Sequence, residues 1–487
     1  MKLVELLSAV PDSSFPPAAH DLRVIGVSAD SRTVRPGELF VAIRGQKADG
    51  WVHAEEAAAR GAVAVVSERP APEGLPIPWI HVPAPRRALA RLAARLAGDP
   101  AEKLVLAGVT GTNGKTTTAL LLEALLTRRH GRAGFIGTVG YHTGRRELPA
   151  SQTTPEAPLL QNLFAEMVQS GLPAAAIEVS SHALALDRLE GCRFDVTVFT
   201  NLSRDHLDFH GDLESYFEAK KKLFELRKPG ANAVVNVDDP WGKRLAGEAR
   251  RPVVTWSPTG GEADVSAEDL RCDLSGTSLT VVHAAGRFRI SSPLLGRLNA
   301  DNLLGAAAAG LSLRMKEEKI AAGCAAVVRV PGRLERVEKG QPFTILVDYA
   351  HTEDALKRLL EAVRDLTDCK IVLVFGCGGD RDRGKRAPMG KLAGSLADIA
   401  IATSDNPRSE DPEAILAEVE RGLIASGATK YLKVPDRREA IRTAIELANP
   451  GTVVVIAGKG HERVQVIGER AIPFDDREVA SEYASKR

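Results

Sequence analysis

The chain has 487 residues, 44% of them apolar and 26% charged, with a formal net charge of +1. It is too long for one core and too evenly charged to present a field for nucleic acid or an acidic membrane surface, so two to four domains of ordinary soluble composition are expected. Five cysteines, Cys192, Cys272, Cys324, Cys369 and Cys377, stand without C-x-x-C spacing, which argues against a disulfide frame or a zinc site.

At the start, MKLVELLSAVPDSSFPP is a short amphipathic stretch carrying Glu5. No later run reaches the length of a membrane span, and a cytoplasmic protein is expected. Residues 1–98 read as a small α/β unit. VIGVSADSRTVRPGELFVAI holds short alternating runs broken by turns, and a hydrophilic hairpin is one reading of it. HAEEAAARGAVAVV predicts a helix closed by Gly61 and then a strand. The helix PRRALARLAARLAG runs into Asp99-Pro100, which sets a domain boundary near residue 98.

The stretch LVLAGVTGTNGKTTTALLLEALL, residues 104–126, predicts a buried strand, a tight loop and the first turn of a helix. Gly111 and Gly114 free the backbone to turn its N–H groups toward an anion, and the helix adds the positive end of its dipole. Lys115 then reaches the outer phosphates of a nucleotide, and Thr116 offers a hydroxyl to Mg²⁺. Counted from Gly111 the loop is shorter than the commonest phosphate loop; counted from Gly108 it is one residue too long. ATP is the expected ligand.

From 99 to 333, strand and helix patterns alternate as in a largely parallel sheet covered on both faces. AAAIEVSS (174–181) and FDVTVFTNLS (194–203) read as buried strands whose polar C-terminal ends are the ligand side of such a sheet. Glu178 lies within an apolar strand, where a carboxylate needs a partner or a metal. His206, after the neighbouring strand, has the chemistry to serve a second ion; an ion-paired Glu178 and a solvated His206 are the plainer readings. In the helix LESYFEAKKKLFELR, Lys220, Lys221 and Lys222 point three ways, so at most one faces the site. Asn299-Ala300-Asp301-Asn302 opens an alanine-rich helix, with Asn299 suited to cap it.

From 334 to 487, FTILVDYAH, KIVLVFGCGGDRD, IAIATSDNPRSED and TVVVIAGKGHE are four apolar strands, each ending in a polar turn, as in a doubly wound, Rossmann-like domain. GCGGD does not open a helix with G-x-G-x-x-G spacing, so a dehydrogenase is not indicated. Strand order of that kind brings Asp380 to Arg383, Asp405 to Arg408 and Gly458 to Glu462 to one edge. Two arginines with neighbouring acids suit an amino acid carrying more than one carboxylate.

GTNGKTT resembles the Mur ligase and folylpolyglutamate synthetase family, which joins a carboxylate to an amine through an acyl phosphate; the resemblance spans all three units. It implies ATP and Mg²⁺, with ATP contacted by Gly111, Thr112, Asn113, Gly114, Lys115, Thr116, Thr117, Asn302, Arg333 and His351. It also implies that Lys115, Glu178, His206 and Lys220 are catalytic. Thr116, Glu178, His206 and Lys220 would be the metal ligands, Lys220 after carbamylation by CO₂. Glu218-Ala219-Lys220 carries that last match, and Lys221 is one register away. Ala29, Ser31, Gln46, Lys47 and Ala48 match contacts to the uridine diphosphate part of a UDP-muramoyl dipeptide. Thr153, Thr154, Ser180 and Arg188 match contacts to the rest of that substrate. Leu186 stands where relatives often have glutamine, and Glu353 replaces the proline of the D-Y-A-H-T-P phrase. Asp405-Asn406-Pro407-Arg408 resembles the signature of family members that add meso-diaminopimelate, implying that Arg381, Asp405, Asn406, Pro407, Arg408, Gly458 and Glu462 bind it. The implied partners are these small molecules, with no nucleic acid and no membrane, and a monomer is expected. A relative using lysine or another diamino acid, or an ATP-hydrolysing switch, are the alternatives.

Overall fold

The computed structural model describes residues 1–45 and 49–486; the expected uridine contacts Gln46, Lys47 and Ala48 lie outside the described residues. The architecture is α/β, with three main sheets dominated by parallel strands. The chain forms two compact units, Met1–Glu268 with Thr280–Ile290 and Asp301–Ala326, and Asp269–Leu279 with Ser291–Ala300 and Val327–Arg487.

The first unit begins with four strands paired in sequence order, Gly26–Ser28, Glu38–Val41, Ala64–Ser67 and Trp79–His81. Leu39, Val41, Val66 and Ile80 face the helix Pro85–Leu96, while Phe40 and Val65 face the helix Ala54–Ala59, the period-two alternation of a sheet covered on both sides. Gly26–Ser28 pairs parallel with Glu38–Val41, so the polar segment between them is a crossover and not a hairpin.

The larger sheet of this unit places the strand Val105–Thr110 between Phe194–Phe199 and Ala174–Glu178, both parallel to it. Outside these lie Arg227–Asn236 and Val253–Ser257 on one side and Gly134–Gly137 on the other, all parallel, followed by the antiparallel pieces Gly140–His142 and Glu147–Leu148. Three adjacent strands therefore end together at Thr110, Glu178 and Phe199. Leu106, Ile177, Phe194, Phe199, Phe217 and Leu223 share the core beneath them. Gly108 belongs to the strand: a Cβ there would meet the Phe194 ring at 2.8 Å, so this glycine serves close packing and not the phosphate loop.

In the second unit the parallel strands run in the order Thr344–Asp348, Val453–Ala457, Ile371–Cys377, Ile399–Ser404 and Tyr431–Lys433, with Glu335–Arg336 antiparallel at the edge. Ile371, Leu373 and Phe375 pack with the helices Glu353–Leu366, Arg386–Leu396 and Pro412–Ala425. Val372 and Val374 pack against Arg437–Glu446 and Asp476–Ala484 on the opposite face. Insertion of the last long strand between the first two makes the topological switch at which such sheets collect ligand-binding ends.

Under that switch, Arg437 and Asp476 form a two-pronged ion pair at 2.7 Å on each prong, with both side chains fully buried. Removing one member strands the other charge in the core, so Asp476→Ala is expected to cost about 3–5 kcal/mol, read by denaturant titration. The double replacement Arg437→Met/Asp476→Leu should cost less than either single change; a single change that leaves the midpoint alone would refute this.

Candidate active site

The phosphate-loop helix spans Lys115–His130, and Gly114, at φ +83°, occupies its N-cap. Gly111, at φ +154°, and Gly114 both adopt backbone that side chains resist, and a Cβ would run into Thr200 Oγ1 at the first and Asn302 Oδ1 at the second. The loop is braced by the neighbouring strand end. Thr112 N–H donates to Asn201 O at 2.8 Å, Asn113 N–H to Asn201 Oδ1 at 3.0 Å, and Thr200 Oγ1 to Asn113 O at 2.6 Å. With those two amides engaged internally and the first helical backbone bond running from Thr118 N–H to Gly114 O at 2.9 Å, the N–H groups ahead of it, at Thr116 and Thr117, are left for an anion. Asn302, on the helix Arg297–Ser312, accepts from Thr118 Oγ1 at 3.2 Å and backs onto the loop. That helix opens at Arg297, so Asn299 lies inside its first turn and bonds Leu295 O rather than capping it.

Two lysines converge on one carbonyl. Lys115 Nζ donates to Gly111 O at 3.0 Å and Thr112 O at 2.8 Å, and Lys220 Nζ donates to the same Gly111 O at 2.7 Å. Lys220 is 1% exposed and sits 4.4 Å from the centre of the Tyr216 ring. Burial, reinforced by the charge of Lys115, drives its pKa well below the ordinary lysine range. Lys221 instead pairs with Glu218 and Glu248, and Lys222 reaches Leu184 O and Asp187, so helix geometry delivers one lysine to the loop.

Glu178 is fully buried at the end of its strand. Thr138 N–H donates to Oε1 at 2.9 Å, while the Thr138 and Thr116 hydroxyls lie 3.1 and 3.0 Å from Oε2. Burial pushes its pKa up, against these hydrogen bonds and the field of Lys115. A carboxylate and a hydroxyl in a dehydrated, loop-end position are hard oxygen donors, and they fit Mg²⁺. His206 stands on the other flank, half-exposed, 3.5 Å from Asp205 Oδ2 and edge-on to His182 at 4.9 Å. Its ring centre is 6.1 Å from that of Tyr216, beside Lys220, and burial lowers its pKa. Among the described residues no three His, Cys, Asp or Glu side chains cluster as a metal site.

The loop 152–155 is knotted onto the Glu178 strand. Thr153 Oγ1 lies 2.9 Å from Thr138 Oγ1, and Thr154 Oγ1 donates to Glu178 O at 2.7 Å while accepting from Ser180 N–H. The strand stops at Glu178, and Ser180 is the N-cap of the short helix Ser181–Ala185 rather than a continuation of that strand. Arg188 bonds Gln152 Oε1 and Thr154 O and pairs with Glu156. In the small sheet, Ala29 is exposed at the end of the first strand, and the buried Ser31 donates its hydroxyl to Glu56 at 2.7 Å.

The second unit holds the remaining residues. Asp405 and Asn406 are buried at the end of Ile399–Ser404. Asn406 Nδ2 donates to Glu462 Oε2 at 3.0 Å, and the fully buried Lys459 donates to both Asn406 Oδ1 and Glu462 Oε2 at 3.0 Å. Burial opposes ionisation of Glu462, yet the charge of Lys459 and these hydrogen bonds hold its pKa below the ordinary range. Arg408 adopts φ +52°; its backbone is pinned to Val466 and Gly468, and Nη1 donates to Gly379 O at 2.7 Å. Pro407 is buried, Gly458 adopts φ +122° facing Arg437, and Arg381 is exposed. Next to this cluster, His351 Nδ1 lies 2.8 Å from Tyr349 O, and the Arg333 guanidinium is 5.6 Å from the Tyr349 ring centre.

Sequence reasoning passed over three residues that this geometry makes central. Lys459 bridges two motifs, and Asp348 ties the Arg333 turn to its strand by accepting from Leu334 and Ala350 N–H groups. Thr138 grips Glu178. Asp348 had the same signal as Glu178, an acid at the end of an apolar run, and Lys459 lies within the Gly458–Glu462 turn that ends another such run; Thr138 had none.

The fold and this set of loop-end residues define an ATP-dependent ligase, and the chain belongs to the Mur ligase family. Its residues match three models of that family: the Mur ligase family catalytic domain at 23–96, the Mur ligase middle domain at 109–310 and the Mur ligase glutamate ligase domain at 332–460. It is an enzyme that joins an acid to an amino acid with ATP and Mg²⁺. Among its relatives is the UDP-N-acetylmuramoyl-L-alanyl-D-glutamate–2,6-diaminopimelate ligase of Solibacter usitatus, 46% identical over 485 residues, covering 99% of this chain and 98% of that one. A solved structure of a ligase with the same name superposes with a TM-score of 0.74 at 36% identity, over 100% of this chain and 99% of the other. The MurF ligase of Thermotoga maritima in complex with ADP shares the fold, with a TM-score of 0.61 at 20% identity over 96% and 97% of the two chains.

Proposed function

We propose that this chain ligates meso-2,6-diaminopimelate to the γ-carboxylate of D-glutamate in UDP-N-acetylmuramoyl-L-alanyl-D-glutamate, consuming ATP through an acyl phosphate, in peptidoglycan precursor synthesis. The observation that carries the choice of substrate is the interlock of Asp405 and Asn406 with Lys459 and Glu462, on the same strand end as Arg408, whose Nη1 donates to Gly379 O. Acids for an ammonium and a guanidinium for a second carboxylate stand within one cluster, and relatives over the full chain length bear that name.

We assign 1–98 to the UDP-sugar, 99–333 to ATP and the acid, and 334–487 to the incoming amino acid. The first-turn amides after Gly114, with Lys115, hold the phosphates of ATP and offset the charge that grows as the D-glutamyl carboxylate attacks the γ-phosphorus. Thr116 and Glu178 would hold one Mg²⁺, and His206 with a carbamylated Lys220 a second; the ions would supply Lewis-acid neutralisation of the phosphate oxygens. Thr153, Thr154, Ser180 and Arg188 orient the acid. Ala29, Ser31 and residues 46–48 hold the uridine diphosphate end; Asn302 and Arg333 match positions that contact the adenine and phosphates of ATP, and His351 one near the nucleotide. Asp405 and Glu462 grip the ammonium of the distal amino-acid centre, and Arg408 with Arg381 grips its carboxylate. The other amine attacks the acyl carbon and phosphate leaves. Aligning three substrates is an entropic task, so closure over bound ATP is expected, and it also keeps water from the acyl phosphate.

No helix among the described residues is long and apolar enough to cross a membrane. We place the protein in the cytoplasm, where ATP is available, acting as a monomer on small molecules alone. The test is ADP formation with the UDP-muramoyl dipeptide against a panel of diamino acids. Strict dependence on both organic substrates, with diaminopimelate preferred, is expected. Phosphate release without an amino acid would favour the switch, and equal use of lysine would remove the substrate assignment.

A further inference from the structure

We propose that Thr138 is a positioning residue that couples loop 152–155 to the buried acid Glu178, so that binding at that loop strengthens binding of the metal-nucleotide. Thr138 follows the strand Gly134–Gly137, which pairs with the strand ending in Glu178. It holds both oxygens of that carboxylate, Oε1 through its N–H at 2.9 Å and Oε2 through its hydroxyl at 3.1 Å. Gly137, just before it, has no room for a side chain: a Cβ there would strike Glu178 Oε1 and the Phe135 ring.

A hydroxyl has one proton. An ionised Glu178 only accepts, so Thr138 spends its proton on Oε2 and must accept from Thr153 Oγ1, 2.9 Å away. The chain therefore has one direction, Thr153 to Thr138 to Glu178, and each bond polarises the next. Thr116, from the phosphate-loop helix, donates to the same Oε2 at 3.0 Å. A second thread runs in parallel, from Thr154 Oγ1 to the Glu178 carbonyl at 2.7 Å. A ligand that orders loop 152–155 fixes the donor on Thr138 and, through it, the carboxylate orientation that a cation meets. Linkage makes the effect reciprocal: whatever the loop ligand does for the nucleotide, the nucleotide does for the loop ligand.

The inference rests on the reading of Glu178 as a cation-holding acid and of loop 152–155 as a contact to the UDP-dipeptide. Its test is calorimetric binding of Mg²⁺ with a non-hydrolysable ATP analogue, with and without the UDP-muramoyl dipeptide, in wild type, Thr138→Val, Thr138→Ser and Glu178→Gln. Valine keeps the branched shape and loses the hydroxyl. Thr138→Val is expected to raise the Mg²⁺ half-saturation about tenfold, the effect of losing one hydrogen bond to a charged group, and to bring the dipeptide's enhancement of nucleotide affinity close to one. Thr138→Ser should restore both. Wild-type coupling in Thr138→Val, or a Thr138→Ser that behaves like valine while melting as wild type, overturns the proposal. If Glu178→Gln leaves the Mg²⁺ half-saturation unchanged, the cation reading itself fails. If it shifts that value and Thr138→Val does not, only the role of Thr138 is lost.

Discussion

Lys220→Ala is expected to lower turnover about 10²–10³-fold, the scale of losing one preorganised electrostatic group, with little change in the melting midpoint. The side chain is 1% exposed, its Nζ is 2.7 Å from Gly111 O, and Lys115 donates to that same oxygen. Two ammonium groups sharing one carbonyl in a dehydrated pocket repel, and burial together with Lys115 leaves the Lys220 amine neutral at a pH where a solvated lysine is charged. A neutral amine is the form that attacks CO₂: the nitrogen bonds the carbon, one N–H proton passes to water, and an anionic carbamate remains. With the proposed carbamate in place, repulsion would become attraction, and the pocket would gain an oxygen donor for a cation beside His206.

Three measurements check this. Lys220→Arg keeps a positive charge and forms no carbamate, so it should be as inactive as the alanine variant; an active arginine variant would refute the assignment. Wild-type activity should fall in CO₂-depleted buffer and return with bicarbonate. Small carboxylic acids should partly restore Lys220→Ala. Stability carries a further sign. The folded-state pKa is depressed below the ordinary 10.5, so between those two values the unfolded chain binds more protons. Without CO₂, stability should therefore rise with pH across that window and fall as pH drops through the depressed value, and Lys220→Met should flatten the profile.

Arg408→Asn is expected to raise the KM for diaminopimelate about a hundredfold while leaving the KM for ATP within about twofold. Truncating one partner of a desolvated charge pair costs about 2–5 kcal/mol, and a bidentate guanidinium–carboxylate contact is of that kind. Asparagine suits the test because Arg408 adopts φ +52°, and asparagine tolerates left-handed backbone. The turn should survive, held by Val466 O and the Gly468 N–H. Lysine, which lacks the second carboxylate, should be used no worse by the variant than by the wild type, so the ratio of the two substrates collapses. Unchanged diaminopimelate kinetics would remove Arg408 from the site.

Much of the architecture was legible because it is encoded locally. The alternation of Leu39, Phe40 and Val41, the apolar runs before Glu178 and Asp405, and the glycines at 111 and 114 each state a backbone preference that neighbours in sequence suffice to set. The strand–loop–helix around Lys115 follows from those preferences alone, as do four of the five parallel strands of the last unit; the fifth, Tyr431–Lys433, is three residues long and two of them are polar, so no apolar run announces it. The segment around Ser31 was ambiguous for the same reason: short runs either side of a polar turn specify two strands but not whether they pair parallel or antiparallel.

What the tertiary structure decided is which side chains meet. The sequence alone determined that three lysines follow Glu218 and that one of them could face inward. The rotation of their helix against Val105–Thr110 determined that it is Lys220. Strand order, which no local pattern carries, put Glu178 and Asn201 on either side of the phosphate loop. It also moved Gly108 into a packing role, turned Ser180 into a cap and placed Asn299 inside its helix. Thr138 and Lys459 gain their importance from partners 40 and 53 residues away in the chain. Local propensity acts over a few residues, whereas the satisfaction of a buried charge is settled only once the strands that carry its partners lie side by side.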